Sequence, residues 1–129
     1  MLDYPSQAAG WRMKVLIVED EALIAMLLEE MLADRGYSVA GLASTVEEGL
    51  ELADRLEVDA AILDVSLNGS YVFPVAERLD TRGVPFVFTT GYGEAGLIDA
   101  WSDRPVFTKP YDIGELTDAL SQLMTPSAT

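Results

Sequence analysis

The chain has no histidine and no cysteine. The first absence excludes a Ser-His-Asp triad, and the two together exclude a Cys-His nucleophile and zinc sites built on either residue. Any phosphohistidine chemistry must therefore be supplied by another molecule. The lack of cysteine accords with a reducing cytoplasm, which is the expected location. Basic residues are scarce, with 8 Lys and Arg against 22 Asp and Glu and a formal net charge of −14. That balance argues against direct nucleic-acid binding and against docking on anionic lipid. Its bland reading is solubility. No apolar run reaches transmembrane length, and the first dozen residues show no basic stretch followed by an apolar block, so neither a span nor a secretory signal is expected. The chemistry left to the chain is that of carboxylates, hydroxyls, lysine and hard cations.

Half of the 129 residues are apolar, enough for one domain with a core. Residues 1–12 lack periodicity and read as an N-terminal arm, 13–124 as a single domain and 125–129 as a short tail. Within the domain, strand and helix signals alternate. VLIV in residues 14–19 is a continuous apolar run that suits a buried strand. Residues 21–35 follow as a helix with Leu23, Leu27 and Met31 at helical spacing beside Ile24 and Leu28, and Gly36 caps it. A second strand is expected at 38–43, and Ser44-x-x-Glu47 reads as a capping box opening a helix to about Leu56. A third strand at 60–63 leads into Asp64, and 65–73 reads as a loop with the turn signal Asn68-Gly69. Pro74 suits the first turn of a helix to about Thr81. Strands at 86–89 and 106–108 follow, separated by a short helix at 94–101 that Gly96 weakens. Asp112 caps a last helix with the apolar stripe Ile113, Leu116, Leu120 and Leu123.

Five strands, each followed by a helix, predict a flavodoxin-like (βα)5 three-layer sandwich with a parallel sheet in the order 2-1-3-4-5. In such sheets the functional site lies past the carboxyl ends of the strands. There the sequence places Glu19-Asp20, Asp64, Thr89-Thr90 and Lys109-Pro110. Three carboxylates at one edge repel one another, and a divalent cation with hard oxygen ligands relieves that repulsion. An ionised Asp64 is a nucleophile, and attack on phosphorus needs positive charge at the phosphoryl oxygens, which Mg²⁺ and Lys109 supply. Taken singly each signal is commonplace: a solvated acidic loop, a helix cap, a Thr or a Lys-Pro at a strand end. Their order at the correct strand ends is specific.

These residues resemble the response-regulator receiver signature over about residues 13–124. VLIVEDE resembles the family's first strand with its acidic pair, AILDVSL the strand with the phosphoacceptor, VPFVFTTG the strand with the hydroxyl residue, and VFTKPY the last strand with its lysine and proline. The resemblance implies that Asp64 accepts a phosphoryl group from a sensor histidine kinase or a histidine phosphotransfer protein. It implies Mg²⁺ as cofactor, on Asp20, Asp64 and the Ser66 backbone carbonyl, with Glu19 acting through water. Thr90, five residues after Pro85, matches the hydroxyl residue. Lys109 binds the phosphoryl oxygens, and its bond to Pro110 is cis. The implied activity is the chain's own phosphoryl transfer and slow dephosphorylation, with the signal passed to a downstream protein.

Three positions depart from the common pattern. Val106 stands where an aromatic is usual three residues before the lysine, and Asn68 where a proline is usual. The run Phe88-Thr-Thr-Gly-Tyr92 resembles the Phe-Ala-Thr-Gly-x-Tyr motif of the atypical FATGUY class, with Thr89 for alanine and the tyrosine one residue early. Since valine is too small and stiff for the usual inward swing, Thr90 and Tyr92 are the expected switch residues. A haloacid-dehalogenase-type phosphatase would need an aspartate at Ser66, and a flavodoxin a hydroxyl- and Gly-rich loop in place of EDEAL. The other rival is an unphosphorylated pseudo-receiver acting as a binding module, against which the intact Asp20, Asp64, Thr90 and Lys109 argue. Only TPSAT follows Met124, so action through a protein partner is expected.

Overall fold

The computed structural model describes residues 13–91, 99–101 and 103–124. The chain order is β1 (Lys14–Val18), α1 (Ala22–Asp34), β2 (Ser38–Ala43), α2 (Val46–Arg55), β3 (Ala60–Asp64), β4 (Ser66–Leu67), β5 (Ser70–Tyr71), α3 (Phe73–Thr81), β6 (Phe86–Thr90), β7 (Val106–Thr108) and α4 (Ile113–Met124). Five strands form one sheet in the order β2-β1-β3-β6-β7, all parallel. This is the expected 2-1-3-4-5 topology, with β6 and β7 as the fourth and fifth strands. Among the described residues no helix is long and apolar enough to cross a membrane.

Side chains alternate across the strands and fill a core on each face. Leu16, Val18, Leu63, Phe86 and Phe88 pack in one layer with Ala53 of α2 and Val75 and Leu79 of α3. Val15, Ile17, Ile62 and Val87 pack in the other with Leu28 and Leu32 of α1 and Leu116 and Leu120 of α4. Burial on both faces is why VLIV and AIL read as uninterrupted apolar runs.

Four local expectations need correction. Residues 65–73 are not all loop, because Ser66–Leu67 and Ser70–Tyr71 pair as a small antiparallel hairpin. Its turn is the expected Asn68-Gly69, with φ of 50° and 87°, as a tight two-residue hairpin requires. The α2 cap lies one residue later than expected: Thr45 Oγ1 accepts from the Glu48 N–H, while Glu48 Oε1 accepts from the Ser44 N–H. On α1 the buried stripe is Ala25, Leu28 and Leu32, whereas Leu23, Met26 and Leu27 are exposed. This helix is apolar nearly all round, so periodicity leaves its phase ambiguous and contact with Val15 and Ile17 sets it. At the end of α4, Leu123 is exposed rather than part of the stripe. Of the short helix expected at 94–101, only residues 99–101 are described, as a 3₁₀ turn. Trp101 in that turn stacks edge-on against Phe86 and Phe88, with centroids 5.6 and 6.2 Å away. The 1–12 arm and Tyr92 lie outside the described residues.

Candidate functional site

The carboxyl ends of β1, β3, β6 and β7 form one edge. Glu19 continues β1: its N–H donates to the Ala43 carbonyl at 2.9 Å, and its Oε2 accepts from the Glu21 N–H at 2.9 Å. That second bond turns the chain into α1 and buries the Glu19 side chain. Asp64 ends β3, opposite Thr89 in the register with β6, and is 3% exposed. The Lys109 N–H donates to the Thr90 carbonyl at 2.8 Å, extending the pairing of β6 and β7 to the site. Its ammonium Nζ lies 3.1 Å from Asp64 Oδ2, 3.4 Å from Glu21 Oε2 and 3.5 Å from Glu19 Oε1. The Lys109–Pro110 peptide is cis.

Of the residues picked out in the sequence, Glu19, Asp20, Asp64 and Lys109 come together here. Thr90 ends the adjacent strand and is buried, and Ser66 begins the hairpin two residues beyond Asp64. Alternation along β6 puts Thr90 in the layer of Phe86 and Phe88, and Thr89 in the layer of Val87. Two further side chains join the site without a clear signal in the sequence. Glu21 is a third acid at the edge: one carboxylate oxygen from each of Glu19, Asp20 and Glu21 lies within 4.8 Å of the others. The run Glu-Asp-Glu carried that signal, but its last residue reads equally well as a helix start. Tyr111 tucks its hydroxyl into the protein, where it is buried without a hydrogen-bond partner among the described residues. Nothing in the sequence but its place after Lys109-Pro110 pointed to it.

Electrostatics at this edge favour a bound cation. Burial pushes the Glu19 carboxyl up to about 8, against the pull of the Glu21 N–H and with the charge of Asp64 adding to the rise. Burial likewise raises Asp64; Lys109 opposes this without cancelling it, and Asp20 adds to it. Burial alone would lower the Lys109 ammonium, but the charges of Asp64 and Glu19 hold it above its ordinary value. The carboxyl groups of Glu19, Asp20, Glu21 and Asp64 thus meet at this edge with the Lys109 ammonium among them. Clustered carboxylate oxygens are the hard donor set a divalent cation of the Mg²⁺ type takes.

An acid raised in the folded state stabilises it fully below the unfolded pKa, and that contribution is lost as pH rises through the folded pKa. For Glu19 the window runs from about 4.3, the ordinary glutamate value, to about 8. In chelator, the melting temperature is expected to fall between pH 5.5 and 8.5, and Glu19→Gln to flatten the decline. A melting temperature that rises over this range contradicts the assignment.

Comparison with known proteins decides the family. The model of the response regulator receiver domain matches residues 15–121. The chain belongs to the response regulator receiver family. As a receiver it is 40% identical to SdrG from Sphingomonas melonis Fr1, whose solution structure superposes with a TM-score of 0.79 over 91% of this chain and 100% of that one. The BeF3-activated conformation of SdrG gives 42% identity and a TM-score of 0.72 over 87% and 96%. Among curated proteins, the transcriptional regulatory protein PdtaR of Mycobacterium tuberculosis is 33% identical over 111 residues, 83% of this chain and 54% of that one. The receiver spans about half the length of this curated relative. The chain is a two-component signal-transduction receiver domain.

Proposed function

We propose that Asp64 takes a phosphoryl group from a phosphohistidine on a sensor histidine kinase or histidine phosphotransfer protein, in a Mg²⁺-dependent reaction, and that the phosphorylated form signals through protein contact. The observation that carries this reading is Lys109 Nζ, 3.1 Å from the carboxylate of a buried strand-end aspartate amid further acids. The activated form of SdrG supports it, since beryllofluoride mimics a phosphoryl group on a carboxylate. An Asp64 carboxylate oxygen attacks phosphorus, the P–N bond breaks, and the imidazole leaves with the electron pair. The product is an acyl phosphate. Lys109, 3.1 Å from Asp64 Oδ2, would follow the phosphoryl oxygens, and the Thr90 hydroxyl would give them a hydrogen bond. Asp20, Asp64 and the Ser66 carbonyl would hold Mg²⁺, with Glu19 acting through water; the ion supplies positive charge to the phosphoryl oxygens. Beryllofluoride with Mg²⁺ should shift amide resonances at Asp64, Thr90 and Lys109, and Asp64→Ala should abolish the shifts. An equal response in Asp64→Ala rules out this acceptor.

The donor's docking surface is the exposed apolar face of α1. Leu23 is 74% and Leu27 50% exposed. Leu27 also lines a groove with Glu21, Lys109 and Pro110, so an imidazole delivered to Asp64 brings its protein across this face. Leu23→Asp with Leu27→Asp should cut transfer from a phosphohistidine protein by on the order of tenfold and leave labelling by acetyl phosphate intact. Equal loss with both donors contradicts the docking role.

For the switch, we place the chain with the FATGUY receivers, on the run Phe88-Thr-Thr-Gly-Tyr92. Val106, like Trp101, packs against the core layer of Phe86 and Phe88, and no aromatic stands at position 106 to swing inward. The signal then leaves through Thr90 and Tyr92.

A further inference from the structure

The hairpin that begins at Ser66 touches the site a second time, through Asn68 at its turn. The Asn68 N–H donates to Asp20 Oδ2 at 2.9 Å, a bond between residues 48 positions apart. The fold fixes where that donor lies. At its base, the Val72 N–H donates to the Val65 carbonyl at 2.9 Å, and both residues are fully buried. Along β4, Leu67 is buried in the core layer under α2 and α3. At the tip, Asn68 and Gly69 adopt φ of 50° and 87°, so the chain reverses within two residues and the Asn68 amide faces Asp20. With Oδ2 engaged, the carboxylate keeps one orientation before any cation arrives. A proline at this position has no N–H and a φ near −65°, so it makes neither the bond nor the turn.

We propose that the β4–β5 hairpin is a positioning device for the cation-binding carboxylate, in which the Asn68 amide aims Asp20 and cation binding in turn orders the hairpin. The inference rests on the reading of Asp20 as a Mg²⁺ ligand. The second half follows from the first, because two coupled binding events affect each other equally. Groups that orient a metal ligand typically change affinity 10- to 100-fold when removed.

The test combines Mg²⁺ titration calorimetry with amide exchange. Asn68→Pro should weaken Mg²⁺ binding by about tenfold. Asn68→Gly keeps the N–H and favours positive φ, and should stay within about twofold of the parent. In chelator, Asp20→Ala should speed exchange of the Asn68 amide by about tenfold or more while the amides of β3 remain protected. Parent-like Mg²⁺ affinity in folded Asn68→Pro, or an equal loss in Asn68→Gly, overturns the proposal. If Asn68→Pro does not fold, the exchange measurement decides, and an unchanged Asn68 amide in Asp20→Ala overturns it. A parent chain that binds no Mg²⁺ overturns this inference together with the reading of Asp20 beneath it. Binding by the parent with no change in the variants overturns the inference alone.

Discussion

Replacing Lys109 with alanine is expected to slow phosphorylation of Asp64 by on the order of 100-fold, the cost typical of removing a donor aimed at transition-state charge. Lys109 is the basic group set against Glu19, Glu21 and Asp64 at once. In the proposed reaction its ammonium, 3.1 Å from Asp64 Oδ2, would meet the charge that grows on the transferring phosphoryl group. Lys109→Arg should rescue poorly, because a planar guanidinium cannot replace a compact ammonium among three carboxylates. Lys109→Ala should also lose stability in chelator, more at pH 8 than at pH 6, since Glu19 and Asp64 must then ionise without a counter-charge. Added Mg²⁺ should restore stability but not the rate. Initial rates with acetyl phosphate check the first claim, and a rate within about threefold of the parent contradicts it.

The second large effect is expected from Asp20→Asn, which should weaken Mg²⁺ binding on the order of 100-fold and leave the fold intact. The amide side chain keeps an oxygen acceptor for the Asn68 N–H, so the hairpin contact survives. The lost negative charge is what a hard divalent cation reads. Calorimetric titration measures this directly. Unchanged affinity would remove Asp20 from the ligand set, and an unfolded variant would contradict the view that its role is in binding.

The fold was legible where burial is two-sided. VLIV and AIL have no polar alternation to misread, and the acids and lysine that follow stand at strand ends that the 2-1-3-4-5 order brings together. Legibility failed where two readings were locally equivalent. Ser44 and Thr45 are both good N-cap residues and Glu47 and Glu48 both acids, so the sequence left the register of the box open. On α1, Leu23, Leu27 and Leu28 are equal in hydropathy, and only the sheet beneath them chose Leu28 for burial. The hairpin after Asp64 has two-residue strands, too short for any periodicity, although its Asn-Gly turn was plain. The Asn68–Asp20 bond uses a backbone amide, which carries no residue signature at all. Glu21 was visible, but a glutamate before a helix is ordinary until a lysine 88 positions away reaches it.

The central claim is that Asp64 carries the phosphoryl group. A phosphohistidine donor labelled with ³²P should transfer label to the chain in Mg²⁺ and not in chelator. The product should be discharged by hydroxylamine, and peptide mapping should place the modification on the segment containing Asp64. Asp64→Ala should take up no label. Label retained in that variant, or stable to hydroxylamine, would contradict the account.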